Sequence, residues 1–120
     1  MRPSTRQILL TVVIALIGVG ALGAEVQKPV IPKSEAECVR AGGDWTVLGL
    51  PYPNKPKMCD LHTTDKGKSC TDSKECQGIC EPPEGAADGT SASGTCSEYV
   101  SNFGNVRRLK DGKVESLNVE

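Results

Sequence analysis

Apolar residues are concentrated near the two ends of the chain and thin out between them, and each pattern predicts a different element. Ile8 to Leu22 is an uncharged apolar run, preceded by Arg2 and Arg6 and followed by Gly23 and Ala24. That order is the layout of a secretory signal peptide over 1–24, with cleavage after Gly23 or Ala24. An uncleaved membrane anchor is the alternative, but a core of about 15 residues falls short of the roughly 20 that span a bilayer. No Leu-x-Gly-Cys sequence stands at the junction, so no lipid anchor is expected. The tandem Arg107-Arg108 lies at the wrong end for a twin-arginine export signal.

Residues 25–33, "EVQKPVIPK", read as a proline-containing lead, extended or mobile. A single domain is expected over 34–120. In "SEAECVRAGG", Ser34 can cap a helix and Glu37 can complete a capping box. Gly42 or Gly43 can end it. Two turns are too few to persist alone, so Cys38 is expected to pin the helix to the body. "DWTVL" then reads as a strand and "KMCDLH" as a second. Between them Gly49–Pro56, "GLPYPNKP", is a loop, so the pair predicts a hairpin. A Cys38–Cys59 bridge would tie helix to hairpin, closing a loop of about 20 residues for about 3 kcal/mol in the chain-entropy model.

From Thr63 to Tyr99 the pattern almost vanishes, with Ile79 as the main apolar side chain. This stretch predicts a loop-rich knuckle stapled by cysteines. Within it "EPPEGAADGTSASG" reads as a mobile, solvated excursion. Alternation returns in the tail around a two-residue Asp111-Gly112 turn, which favours a type I′ hairpin. Counting outward sets Lys110 opposite Lys113, Leu109 opposite Val114, and Arg108 opposite Glu115. Arg107 then faces Ser116, Val106 faces Leu117, and Asn105 faces Asn118. An isolated hairpin is marginal in water, so this one, packed near Phe103, is expected to be the least stable unit.

Without the first 24 residues the chain carries 12 basic and 15 acidic side chains, a net of −3. An acidic chain does not suit general binding to nucleic acid or anionic membrane. Membrane contact is expected only through the first segment, if uncleaved. Large aromatics are few (Trp45, Tyr52, Tyr99, Phe103), so the core is small and needs staples. Six cysteines supply them: Cys38, Cys59, Cys70, Cys76, Cys80 and Cys96. An even number behind an export signal reads as a disulfide framework. Among the last four, three pairings are open, and the interlaced order Cys70–Cys80 with Cys76–Cys96 is favoured. A zinc site is the lesser alternative: the spacing Cys-x5-Cys-x3-Cys-x15-Cys lacks close Cys-x-x-Cys pairs, and His62 is the one histidine. The fold class expected is a small disulfide-rich, β-rich α+β domain with one short helix, two hairpins and a cysteine knuckle.

The order "EC…GGDW…GL…C", "GKSCTDSKECQGIC" and "GTCS…FG" before a terminal hairpin resembles a family of small exported cysteine-rich bacterial proteins, largely without assigned function. The resemblance spans about residues 35–120 and is most specific from Gly67 to Cys80. In that family the hairpin usually carries a further cysteine pair, at the positions of Asn105 and Asn118 here. The resemblance implies fold and export and hands over no catalytic residue.

Function is weighed on four features. His62, with Asp60 and Asp65 near in sequence, could centre a small enzyme or metal site, but no Gly-x-Ser-x-Gly elbow exists and oxidised cysteines leave no thiol nucleophile. A surface histidine is preferred. Carboxylates of "DLHTTD" and "TDSKE" could ligate calcium, but their spacing does not fit an EF-hand. The Gly49–Pro56 loop, with Leu50, Tyr52 and Lys55, could be presented rigidly to a protease or another partner. The alternative there is an ordinary connection with Tyr52 lying on Trp45, itself expected in the core. Arg107, Arg108, Lys110 and Lys113 could meet an anion, but strand alternation splits the two arginines and Glu115 faces Arg108, so a solvated edge is preferred. The chain is thus expected to be a monomeric, non-enzymatic interaction or structural module, periplasmic or extracellular. It would need no cofactor and would engage a protein or envelope component.

Overall fold

The computed structural model describes residues 24–120; the signal segment predicted over 1–24 lies outside them but for Ala24. One short helix, three small antiparallel sheets and three disulfides form a small α+β unit. Helix α1 spans Glu35–Arg40. The Ser34 hydroxyl accepts the N–H of Glu37 at its start. Gly42, at φ 79°, turns the chain out of the helix while its N–H and that of Gly43 close on Val39 and Cys38 carbonyls. Gly43 is required for a second reason: a Cβ there would lie 2.6 Å from Cys59 Sγ and 2.9 Å from Cys38 Sγ.

Strands β1 (Asp44–Thr46) and β2 (Met58–Asp60) form the first hairpin. Both are shorter than the sequence pattern suggests. Pro56 has no N–H to extend the ladder beyond the Thr46–Met58 pair. Trp45 sits opposite Cys59, and both face a cluster of Cys38, Cys59 and Leu61 flanked by Ile31 and Val100. Trp45 is therefore a half-buried flank of a cystine core, not its centre.

The knuckle is more ordered than expected. Strands β3 (Ser69–Cys70), β4 (Cys80–Glu81) and β5 (Gly94–Cys96) make an antiparallel sheet in the order β3-β5-β4. The signal for it was masked because its inward residues are cysteine and glycine. A 3-10 turn, Ser73–Glu75, is capped by Asp72. Disulfides join Cys38 to Cys59, Cys70 to Cys80, and Cys76 to Cys96, with Cα separations of 5.5, 5.9 and 5.4 Å.

Strands β6 (Gly104–Lys110) and β7 (Lys113–Val119) pair in the register counted from Asp111-Gly112, through Asn105 opposite Asn118. Asp111 (φ 51°) and Gly112 (φ 75°) both take the left-handed conformation the turn demands. Leu109 and Val114 are buried on Cys70, Cys76, Cys80 and Cys96. Val106, on the opposite face, is buried too. The hairpin is thus a lid on the cystine core rather than an appendage near Phe103, which removes the ground for expecting it to be the weakest unit.

Two further expectations are corrected. The excursion is held in place: the Gly89 N–H reaches Val114, the Val114 N–H reaches Thr90, and the Ala92 N–H reaches Gly112. Arg107 also donates to the Ala86 carbonyl, and Ser116 to Asp88. Small side chains let this strip approach β7, where Ser91 and Lys113 form a single antiparallel bridge. The lead is docked as well. The Val26 N–H bonds the Lys74 carbonyl, and Lys28 Nζ donates to the carbonyls of Ser73, Cys76 and Gly78. Ile31 packs on the first cluster. Among the described residues, no helix is long and apolar enough to cross a membrane.

Candidate binding surface

The disulfide Cys38–Cys59 locks the stalk of the first hairpin to α1, so the loop it carries projects from a fixed base. Gly49 turns at φ 75°, where a Cβ would lie 3.1 Å from Lys55 Nζ and 3.6 Å from the Phe103 ring, and Asn54 turns at φ 62°. Inside the loop, Lys55 Nζ donates to the Leu50 carbonyl at 2.9 Å and lies 5.0 Å from the Tyr52 ring centre. The Lys55 N–H bonds the Tyr52 carbonyl. Pro51, Pro53 and Pro56 restrict the rest. Lys55 is thus an internal brace, whereas Leu50 and Tyr52 are 65% and 61% exposed.

Tyr52 does not stack on Trp45: the one aromatic ring pair among the described residues is His62 with Tyr99. Val47 and Met58 are exposed on the same hairpin. Among the described residues six large hydrophobics are exposed (Val30, Val39, Val47, Leu50, Tyr52, Met58), and four of them belong to this hairpin. Sequence reasoning missed Val47 and Met58. Alternation carried the signal for Met58: with Trp45 and Cys59 inward, Met58 must point outward. Beside it a groove of about 280 Å³ is lined by Ile31, Pro32, Trp45 and Met58, with Lys33 and Lys57 also in its wall.

His62 stands at the far end of the same hairpin. Its Nε2 lies 3.1 Å from Asp44 Oδ2, and its ring centre is 4.6 Å from that of Tyr99. Asp44 and Asp60 are direct cross-strand partners. Burial, and next the Asp44 charge, raise the Asp60 carboxyl above its usual range; His62 opposes this. An Asp–His pair can relay a proton, but among the described residues no serine, threonine or cysteine bonds the imidazole. Asp65, near in sequence, instead accepts the Gln77 N–H through Oδ2, while its Oδ1 is buried without a partner.

The other carboxylates proposed for calcium are occupied by backbone. Asp72 accepts the N–H groups of Lys74 and Asp111, and Glu75 that of Thr71. These are caps and ties, which explains their clustering without an ion. In the tail, Arg108 Nε pairs with Glu115 at 2.8 Å and Arg107 holds the excursion, so the two arginines are each engaged within the protein rather than paired as an anion site. The Sγ atoms of Cys70, Cys76 and Cys96 lie within 4.8 Å of one another. As cystines they offer no thiolate for a metal.

Lys28 could not be read from the sequence as anything but a charged residue in a lead. Its ammonium is fixed by three carbonyls, of Ser73 in the 3-10 turn and of Cys76 and Gly78 just after it. Burial lowers its pKa, and Asp65, Asp72 and Glu25 partly restore it.

Comparison with protein-family models, with curated proteins and with solved structures finds no match to this chain. What its geometry establishes is a small disulfide-stabilised protein, suited to an oxidising, exported environment.

Proposed function

We propose that this is an exported, non-enzymatic binding module of the periplasm or the extracellular space, which engages a protein partner through the β1–β2 hairpin. One observation carries the reading. Among the described residues, four of the six exposed large hydrophobics stand on a hairpin whose base is fixed by a disulfide and whose loop is braced internally by Lys55. Apolar and aromatic side chains held in place before binding reduce the ordering cost of association. The resemblance to exported cysteine-rich bacterial proteins agrees with this setting.

The test is a cross-linking pull-down from native envelope and secretome, run with wild type and with Leu50→Ala/Tyr52→Ala. Both side chains are exposed, so the variant should keep its stability within about 0.5 kcal/mol. A partner captured equally by both proteins sinks the reading. An inhibitor role for the Gly49–Pro56 loop is the second reading, favoured by the Lys55 brace on the Leu50 carbonyl. It requires slowed hydrolysis in a protease panel at micromolar protein, relieved by Tyr52→Ala.

A further inference from the structure

The lead and the first hairpin together build a groove that the Leu50 and Tyr52 side chains do not line. Ile31, Pro32 and Lys33 of the lead form one wall, Lys57, Met58 and Cys59 form another, and Trp45 completes the lining. Both walls are fixed by contacts elsewhere. The lead is tied at Val26 to the Lys74 carbonyl and at Lys28 to the carbonyls of Ser73, Cys76 and Gly78. Its Ile31 packs on the cluster of Cys38, Cys59 and Leu61. The second wall is held by the Cys38–Cys59 bridge and by the ladder to β1. The groove is therefore formed before anything enters it, which lowers the ordering cost of binding.

Its chemistry narrows what fits. The lining is apolar apart from Lys33 and Lys57, one in each wall, and among the described residues neither lysine makes an ion pair. That holds although the chain beyond residue 24 carries 15 acidic side chains against 12 basic ones. The complement of such a lining is an apolar group with carboxylates beside it. A volume of about 280 Å³ is smaller than the roughly 300–1,000 Å³ of sites that enclose a whole small ligand. It suits one large side chain of a longer molecule. The order β1-β2 also leaves one edge of β2 without a strand. Among the described residues, no backbone hydrogen bond outside the ladder involves residues 57–60. An extended chain can use such an edge.

We propose that the groove receives an extended segment of the protein partner, with one apolar side chain on Trp45 and acidic residues on either side of it paired with Lys33 and Lys57. The inference rests on the reading of the β1–β2 hairpin as the partner surface, and it names the chemistry of that partner. Trp45 and the 47% exposed Met58 supply the contact area for the apolar side chain. The two lysines supply selection, because a segment with basic flanking residues meets like charge there. Both lysines are exposed, so their share of the affinity is modest and is screened by salt.

The chain has one tryptophan, so the indole N–H of Trp45 gives a single NMR resonance that reports on the groove. The oxidised protein is titrated with three capped peptides: Gly-Glu-Leu-Glu-Gly, Gly-Gln-Leu-Gln-Gly and Gly-Glu-Gly-Glu-Gly. The first should shift the Trp45 resonance to saturation and bind about fivefold to tenfold more tightly than the second at low salt. The third should leave Trp45 unmoved. At about 1 M salt, where the screening length is about 3 Å, the first two should converge. Lys33→Gln/Lys57→Gln should bind those two alike, with an unchanged thermal midpoint. A Trp45 signal indifferent to the first peptide, or a double variant that still prefers glutamate, overturns the proposal. So does octanoate acting at lower concentration than any peptide, which would make the groove a site for small amphiphilic anions. A shift that grows with protein concentration alone gives the groove to a second copy and overturns it equally. The hairpin reading fails on a different result, partner capture indifferent to Leu50→Ala/Tyr52→Ala, so the two failures are distinguishable.

Discussion

The carboxylate of Asp72 accepts the N–H of Asp111 at 2.7 Å, joining the cap of the 3-10 turn to the tip of the tail hairpin 39 residues later. Its other oxygen takes the Lys74 N–H. One side chain thereby holds the lid to the cystine core. Asp72→Ala should cost about 1–2 kcal/mol, as lost caps do, and should speed amide exchange at Asp111 and Lys74. Unchanged exchange at Asp111 would show that the turn is held by something else.

Asp72 also sets a pH dependence. Burial alone would raise its pKa, but the N–H donations of Lys74 and Asp111, with the Lys74 and Arg108 charges, outweigh it and lower the pKa below 3.8. The folded state therefore holds the ionised form more tightly than the unfolded state does. This stability is present above pH 3.8 and is lost as pH falls through the folded pKa. Comparing acid unfolding of wild type with Asp72→Asn isolates it; the variant should lose this part of the slope.

Asp60 acts with the opposite sign. Its carboxyl is raised above 3.8 by burial and by Asp44 directly across the ladder. The folded state binds this proton more tightly, so the Asp60 contribution is fully favourable below pH 3.8 and is lost as pH rises through the folded pKa. Asp60→Asn should stabilise the protein at neutral pH and flatten this component. A urea midpoint at pH 7 that falls in the variant contradicts it.

Asn105 and Asn118 face each other in the β6–β7 ladder. Cross-strand Cα separations match those of disulfides. The double change Asn105→Cys/Asn118→Cys should close a fourth bridge and stabilise the oxidised protein by about 3 kcal/mol in the chain-entropy model. Intact mass and thermal unfolding report both. Two alkylatable thiols after oxidation would show that the register slips.

Leu109 is fully buried on the cysteine cluster, beside Val114. Leu109→Ala should therefore cost about 2–5 kcal/mol, measured by denaturant unfolding with disulfides intact. A loss under about 1 kcal/mol, the size of a surface change, would mean the hairpin does not cover the core.

Local chemistry alone determined the parts whose geometry is fixed within a few residues. Ser34 capped a short helix, Pro56 bounded a loop, and Asp111-Gly112 set a hairpin register down to Asn105 opposite Asn118. The fold class followed from cysteine number and scarce aromatics. What covers what could not be read the same way. Leu109 and Val114 gave an alternation signal but not the surface they meet, because that surface is made of cystines rather than a hydrophobic run. The excursion and the lead are polar and looked solvated, yet Gly89, Thr90 and Ala92 pair with the tail and Lys28 grips three carbonyls. Backbone hydrogen bonds between distant segments carry no side-chain signature, so only the tertiary structure decided them. The exposure of the first hairpin was decided there too: Leu50 and Tyr52 are outward, while Ile31 and Val100, distant in sequence, flank the cluster on which Trp45 packs.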